Sequence, residues 1–177
     1  ILVQDDIKDV YHELFDSALA EYNSRQKRKD RMIKNYHEHI RHSRQEKEFH
    51  EVIFQIGNRD DTDVGTFDAD VCAEILKKYA EDFQNRNSHL RVFNSVIHMD
   101  EETPHLHIDF VPFATEQKRG LSTRVSLTKA LEQQGFKGEG KLNTASKLWI
   151  DSEKQVLSNL MAEHGIEWEK LGTERTH

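Results

Sequence analysis

Residues 98–113 read His-Met-Asp-Glu-Glu-Thr-Pro-His-Leu-His-Ile-Asp-Phe-Val-Pro-Phe, and the rest of the fold is organised around them. From His105 onward polar and apolar residues alternate, which predicts a strand, because successive strand side chains point to opposite faces. An apolar run over 90–98 predicts a second strand. The short connection Asp100–Pro104 fits an antiparallel hairpin with a five-residue loop. We therefore expect this hairpin at the centre of a sheet.

Three histidines of the hairpin are predicted to meet at one point. His105 and His107 share one strand face, and His98 ends the neighbouring strand close to His105. Three converging imidazoles form a half-open transition-metal site, which can polarise a carbonyl or phosphoryl oxygen. We expect a divalent ion (Mn, Zn or Mg), with Mn favoured because imidazole ligands suit transition metals better than Mg. Of the neighbouring acids, Glu101 is favoured to orient a ligating ring or to complete the metal shell.

The two faces of the second strand differ in character. Leu106, Ile108 and Phe110 form the apolar face, which we expect to be the core side where helices dock. The face that carries His105 and His107 is then the open one, where a metal site can reach its substrate.

Amphipathic and alternating patterns predict the remaining elements. These are a helix capped by Asp5 or Asp6, a second helix in the basic stretch, a strand over 49–57, and helices over 68–84, 126–134 and 144–164, the last capped by Thr144 or Asn143 and stopped by Gly165. The fold class is therefore α+β, a small antiparallel sheet with helices packed over one face.

Composition limits the class of protein. The chain has 177 residues, which suits one domain, and Cys72 is the only cysteine. A single cysteine excludes an intramolecular disulfide framework and a zinc site built of cysteines. No apolar run approaches the length of a membrane span, so we expect no membrane partner, and the cytoplasm is the default location.

Charge is distributed unevenly along the chain. The net charge is −7, yet residues 24–47 contain nine Lys or Arg and three Asp or Glu, a local charge of +6. Such a molecule can present a basic face to nucleic acid despite its acidic average. A solvated helix surface explains the same residues equally well, and charge alone leaves both interpretations open.

The motif of residues 98–113 resembles the metal motif of the MobV-type plasmid mobilisation/recombination (Mob/Pre) relaxases, members of the HUH endonuclease group. The shared pattern is His-x-Asp-Glu-x-x-Pro-His-x-His with a Val-Pro-Phe tail. Residues 5–57 also resemble plasmid recombination enzymes. The resemblance thus covers most of the chain.

The resemblance implies a palm-like sheet with the His-x-His strand at its centre. It implies a DNA relaxase that nicks single-stranded or supercoiled origin DNA at one phosphodiester, for conjugative mobilisation or recombination of a plasmid or mobile element. A side chain would attack phosphorus, the 3′ hydroxyl would leave, and the covalent intermediate would later rejoin strands. The metal ligands would be His98, His105 and His107, with Glu101 as the supporting catalytic acid. In the basic segment, phosphate contacts would come from Lys27, Arg28, Arg31, Lys34 and Arg41.

The sequence departs from this family at its start. The family's nucleophile and first strand precede the region that corresponds to Ile1, so residues 1–177 are expected to form one relaxase-like domain truncated at its N-terminus. Tyr11 and Tyr22 lie on an apolar stripe and are expected in the core, which leaves Tyr36 as the exposed tyrosine of the early helices. Two alternatives follow, a noncatalytic metal- and DNA-binding fragment that lacks the nucleophile, or a metallohydrolase of a small substrate.

Overall fold

The protein is described here by a computed structural model over residues 1–57, 67–100 and 103–166, and it has the predicted α+β class. Helices α1, α2, α3, α4 and α5 and strands β1, β2, β3, β4 and β5 follow the chain order. Their bounds are β1 Val3–Gln4, α1 Ile7–Ser24, a 3-10 turn Lys29–Arg31, α2 Tyr36–Arg41, β2 His50–Gln55, α3 Phe67–Arg86, β3 Leu90–His98, β4 His105–Ala114, β5 Arg124–Val125, α4 Leu127–Gln133 and α5 Ala145–Glu163.

The predicted hairpin is confirmed and lies at the centre of the sheet. Strands β3 and β4 pair antiparallel with His98 opposite His105. The sheet order is β1-β3-β4-β2, and β5 pairs with the far end of β4. All of these pairings are antiparallel. Strand β4 therefore has a neighbour on each side along the part that carries the histidines.

The apolar face of β4 is the core side, as predicted. Leu106, Ile108 and Phe110 are almost completely buried. They form one cluster with residues of α3 and α5, among them Tyr79 and Trp149. Burial of each such side chain contributes roughly 1.5–3 kcal/mol. This cluster fixes which face of β4 turns outward.

The opposite face is partly covered as well, which corrects the expectation of helices over one face only. Val10 and Phe15 of α1 pack against Phe93 and Val111 in a second cluster. A β-bulge in β3 between Val92 and Asn94 turns Phe93 toward this side. Helix α1 thus covers the end of the face that is remote from the histidines.

The basic segment 24–47 is less helical than predicted. It contains only the 3-10 turn and the six-residue α2. Asn23 explains part of this, because its side chain bonds both the carbonyl and the amide of Ile33 and closes a loop. Asn35 then caps α2 at the amide of Glu38.

Tyr36 is buried, so the expectation that it is exposed was wrong, whereas Tyr11 lies in the core as predicted. The Tyr36 hydroxyl accepts a hydrogen bond from the amide of Val125 at 3.1 Å. Two strands were not predicted, β1 and β5, each of two residues. Strand β1 occupies the sheet edge beside β3, where the sequence suggested that a strand was missing. Within the described ranges, no helix combines the length and the apolar character of a membrane span.

Candidate metal centre

The three histidines of the motif lie together at one end of the β3–β4 hairpin. The ring centres of His98 and His105 are 5.1 Å apart, those of His98 and His107 are 4.8 Å apart, and those of His105 and His107 are 4.9 Å apart. The side chains of His98 and His107 are 40% and 22% exposed. His105, at the start of β4, is 8% exposed and is more enclosed than the sequence suggested.

These separations fit three imidazoles that share one cation. A metal–nitrogen bond is about 2.1 Å long and the ring centre lies about 1.1 Å further out, so ring centres around one ion stand about 4.5–5.2 Å apart for octahedral to tetrahedral angles. All three observed separations fall within this range. The backbone therefore brings the rings to the spacing of a ligand set.

The nitrogen donors of the rings, unlike the ring centres, do not have the arrangement of a metal site. Within the described ranges, no set of three or more His, Cys, Asp or Glu side chains has its donor atoms arranged to hold a metal ion. The planes of the His98 and His105 rings are 11° apart. Ring centres are set by the backbone and χ1, whereas donor direction also depends on χ2, a broad torsion. The ring positions therefore have the spacing of a ligand set, and metal binding requires a change in the orientation of the rings about χ2.

Each of the three rings has an oxygen acceptor near Nδ1. His107 Nδ1 lies 2.6 Å from Glu51 Oε1, and His105 Nδ1 lies 3.1 Å from the carbonyl oxygen of Thr103. His98 Nδ1 is 3.6 Å from Asp100 Oδ1. An acceptor at this position favours the tautomer with the proton on Nδ1, which places the lone pair on Nε2 for a metal.

Glu51 is the functional candidate that the sequence did not reveal. It lies on β2, opposite Asp109, which puts its side chain on the histidine face beside His107. The alternation in Phe-His-Glu-Val-Ile-Phe-Gln predicts a strand, but nothing in it says that β2 pairs with β4. Glu51 could have been found only once that pairing was known.

The other two residues of the histidine face, Asp109 and Val111, have partners elsewhere in the fold. Asp109 accepts a hydrogen bond from the side-chain amide of Asn94 at 2.8 Å. Val111 lies in the second cluster beneath α1. Glu101 is outside the described residues.

The basic residues of the predicted DNA surface are all exposed, and they are placed apart from the histidines. The five are Lys27, Arg28, Arg31, Lys34 and Arg41. Arg28 is paired with Asp30, and Arg41 with Glu38. Their segment packs through Tyr36 and Ile40 into the second cluster, which contains Val111. Val111 is six residues beyond His105, about 20 Å along the strand.

A model of a protein family described as plasmid recombination enzyme (Mob/Pre) matches residues 1–147. The match includes the basic segment, the whole sheet and the histidine cluster. No curated protein and no solved structure matches the chain.

Proposed function

This chain belongs to the plasmid recombination enzyme family, Mob/Pre, and within that family we propose that it is a metal-dependent DNA relaxase. The proposed reaction is site-specific nicking of one strand at a plasmid or mobile-element origin, followed by strand transfer. The observation that carries the proposal is the cluster of three imidazoles whose centres are 4.8–5.1 Å apart on the partly open face of the sheet.

The residues proposed to hold the cation are His98, His105 and His107, with Glu101 as the supporting acid. When bound, a divalent ion supplies Lewis-acid polarisation of a non-bridging phosphate oxygen. Mn is the proposed ion, with Zn or Mg as alternatives. Glu51 would keep the Nδ1 proton of His107 in place and would hold the ring in one orientation, as carboxylates behind metal-bound histidines do.

Exposed cations of the basic segment are proposed to contact the phosphates of the same strand. Lys27, Arg31 and Lys34 have no ion pair with any residue in the described part of the chain, so their charges are available to DNA. Arg28 and Arg41 would have to leave Asp30 and Glu38 to contribute equally. Each phosphate that is neutralised releases counterions and adds affinity.

The attacking group is proposed not to be Tyr11 or Tyr36. The Tyr11 hydroxyl donates a hydrogen bond to the carbonyl of Glu48, and burial raises the pKa of both tyrosines. A buried, hydrogen-bonded phenol cannot reach phosphorus. A metal- and DNA-binding module that does not cut is the second candidate function.

A paired substitution tests the proposal. His105→Ala with His107→Ala should remove Mn²⁺ binding, measured by calorimetric titration, because two of three proposed ligands are gone. It should also abolish nicking of supercoiled plasmid that carries the origin. His12→Ala is the control, because His12 is exposed on α1 and its ring pairs with Asp16, away from the histidine motif.

Each result separates the candidates. Unchanged Mn²⁺ binding and nicking in the double variant would refute the relaxase proposal. Mn²⁺-dependent DNA binding without a covalent DNA–protein adduct on a denaturing gel would support the noncutting module. Turnover of a generic phosphate ester without affinity for single-stranded DNA would favour the small-substrate hydrolase.

A further inference from the structure

A cleft of about 820 Å³ lies between the basic segment and the loop that leads into β5. Its size is that of sites that hold small ligands. Arg31, Lys34 and His39 line it from the segment, and Arg124, the first residue of β5, lines the opposite wall. The cleft is not part of the histidine cluster, and the proposed chemistry gives it no role.

Arg124 is the unusual group in this cleft. Its Nε is buried and has no hydrogen-bond partner among the described residues. Its positive charge acts on Glu46, where it opposes the effect of burial, which raises the pKa of that carboxyl. A buried guanidinium N–H without an acceptor is rare in folded proteins, and it indicates a place for an oxygen-bearing ligand.

An aromatic surface lies on the other wall. The ring of His39 is stacked on that of Tyr36, with centres 6.1 Å apart and planes 17° apart. Tyr36 is buried whereas His39 is exposed, so the outer face of the His39 ring is open. Exposed rings of this kind stack with unpaired nucleic-acid bases. Met32, 43% exposed, adds an apolar contact at the same cleft.

The charges of the cleft favour an anion. Three acids line it: Asp30 is paired with Arg28, Glu38 is paired with Arg41, and Glu46 interacts with Arg124. Arg31, Lys34 and Arg124 have no ion pair in the described ranges, so these three cations outnumber the one acid without an ion pair there. A nucleotide fits both features, because its phosphate would neutralise cations of the cleft and its base would stack on the ring of His39.

We propose that this cleft is a nucleotide subsite for the bound DNA strand, in which Arg124 contacts a phosphate and His39 stacks on the attached base. The proposal rests on the proposed function, because it takes DNA as the substrate. The segment that forms one wall of the cleft packs in the cluster that contains Val111, which is six residues beyond His105, about 20 Å along β4.

Binding of two labelled single strands tests the subsite, one of thymidine and one of equal length without bases. Arg124→Gln should lower the slope of log affinity against log salt by about 0.7 on both strands, the value for one phosphate contact on a single strand. His39→Ala should weaken the thymidine strand about fivefold or more and leave the base-free strand unchanged. Arg119→Gln is the matched control, because Arg119 is exposed in the same loop and does not line the cleft.

Equal salt slopes for Arg124→Gln and Arg119→Gln would overturn the phosphate contact. Equal losses on the two strands for His39→Ala would overturn the base contact. If thymidine monophosphate binds while neither variant alters binding of the strands, the cleft takes free nucleotide and the proposal fails. His39→Ala keeps the test available if Arg124→Gln does not fold.

The subsite and the relaxase activity can fail separately. Both variants should bind Mn²⁺ as the unaltered protein does, because neither residue touches the histidines. Histidine-dependent nicking together with unaltered strand binding in both variants would reject the subsite alone. A protein that binds neither strand would reject the subsite and the proposed DNA substrate together.

Discussion

Glu51 is the residue with the clearest role beyond the motif itself. Its carboxylate lies 2.6 Å from Nδ1 of His107, the closest of the three contacts at the Nδ1 atoms. A carboxylate at that position keeps the proton on Nδ1 and holds the ring in one orientation. The side chain of Glu51 is 43% exposed, so its contribution to stability is small and its effect should fall on the metal.

Replacing this carboxylate should therefore weaken Mn²⁺ binding without unfolding the protein. We expect Glu51→Gln to lower Mn²⁺ affinity about 10–100-fold, measured by calorimetric titration. Glu139→Gln, at an exposed position of the loop before α5, is the control. An affinity of Glu51→Gln equal to that of the control would mean that the 2.6 Å contact does not orient a metal ligand.

Helices α3 and α5 are joined by a buried polar group. Glu153 of α5 is 3% exposed and accepts hydrogen bonds from Tyr79 at 2.5 Å, from Arg86 at 2.9 Å and from Asn87 at 3.2 Å. Burial, together with the neighbouring Glu153 carboxylate, raises the pKa of Tyr79, which stays a neutral donor. Asn87 also accepts from the indole of Trp149 at 2.8 Å. The network fixes how the two helices lie on the sheet.

Loss of this carboxylate should leave the Arg86 charge without its buried partner. We expect Glu153→Ala to lower the free energy of unfolding by about 3–5 kcal/mol, measured by urea denaturation. Asp151→Ala, on the exposed face of the same helix, should cost less than about 0.5 kcal/mol. A loss in Glu153→Ala no larger than in Asp151→Ala would show that the network adds no stability.

Long strands could be predicted from their own residues, whereas short elements that depend on contacts with distant residues could not. Strand β3 spans the predicted residues 90–98, and β4 ends one residue beyond the run to Phe113, because each has nine or ten residues rich in Val, Ile and Phe, and β4 alternates from His105 to Phe110. Strands β1 and β5 have two residues each, too few for any alternation. Segment 24–47 has helix-forming residues, but the contact between Asn23 and Ile33 ends the helix, and that contact depends on the folded chain.

At the scale of the whole molecule, the basic segment 24–47 is separate from the three histidines. The net charge is −7, so the average field repels DNA, and the proposed DNA binding would depend on the local charge of +6 over residues 24–47. The three histidines were predicted from sequence because strand geometry alone brings them together. The two walls of the cleft beside Arg124 could not be matched from sequence, because they are segments about 80 residues apart that only the second cluster brings into contact.

Removing the unpaired cations should change the salt dependence of DNA binding. We expect the triple variant Lys27→Gln, Arg31→Gln, Lys34→Gln to reduce the slope of log affinity against log salt by about 2, since each phosphate contact contributes about 0.7 on a single strand. The triple variant Lys137→Gln, Lys141→Gln, Lys147→Gln carries the same charge change at other exposed positions. Similar slopes for the two variants would show that net charge matters and the segment does not.

The bulge at Phe93 divides β3 into two stretches of opposite parity. Before it, even-numbered residues such as Leu90 and Val92 face the core, and after it odd-numbered residues such as Ile97 do so. Phe93 is the additional residue of the bulge, and its removal would bring Val92 and Asn94 together in a regular strand with His98 still opposite His105. Loss of Phe93 alone would therefore keep the triad, whereas loss of one residue between Asn94 and His98, with the bulge retained, would turn His98 to the face of Leu106.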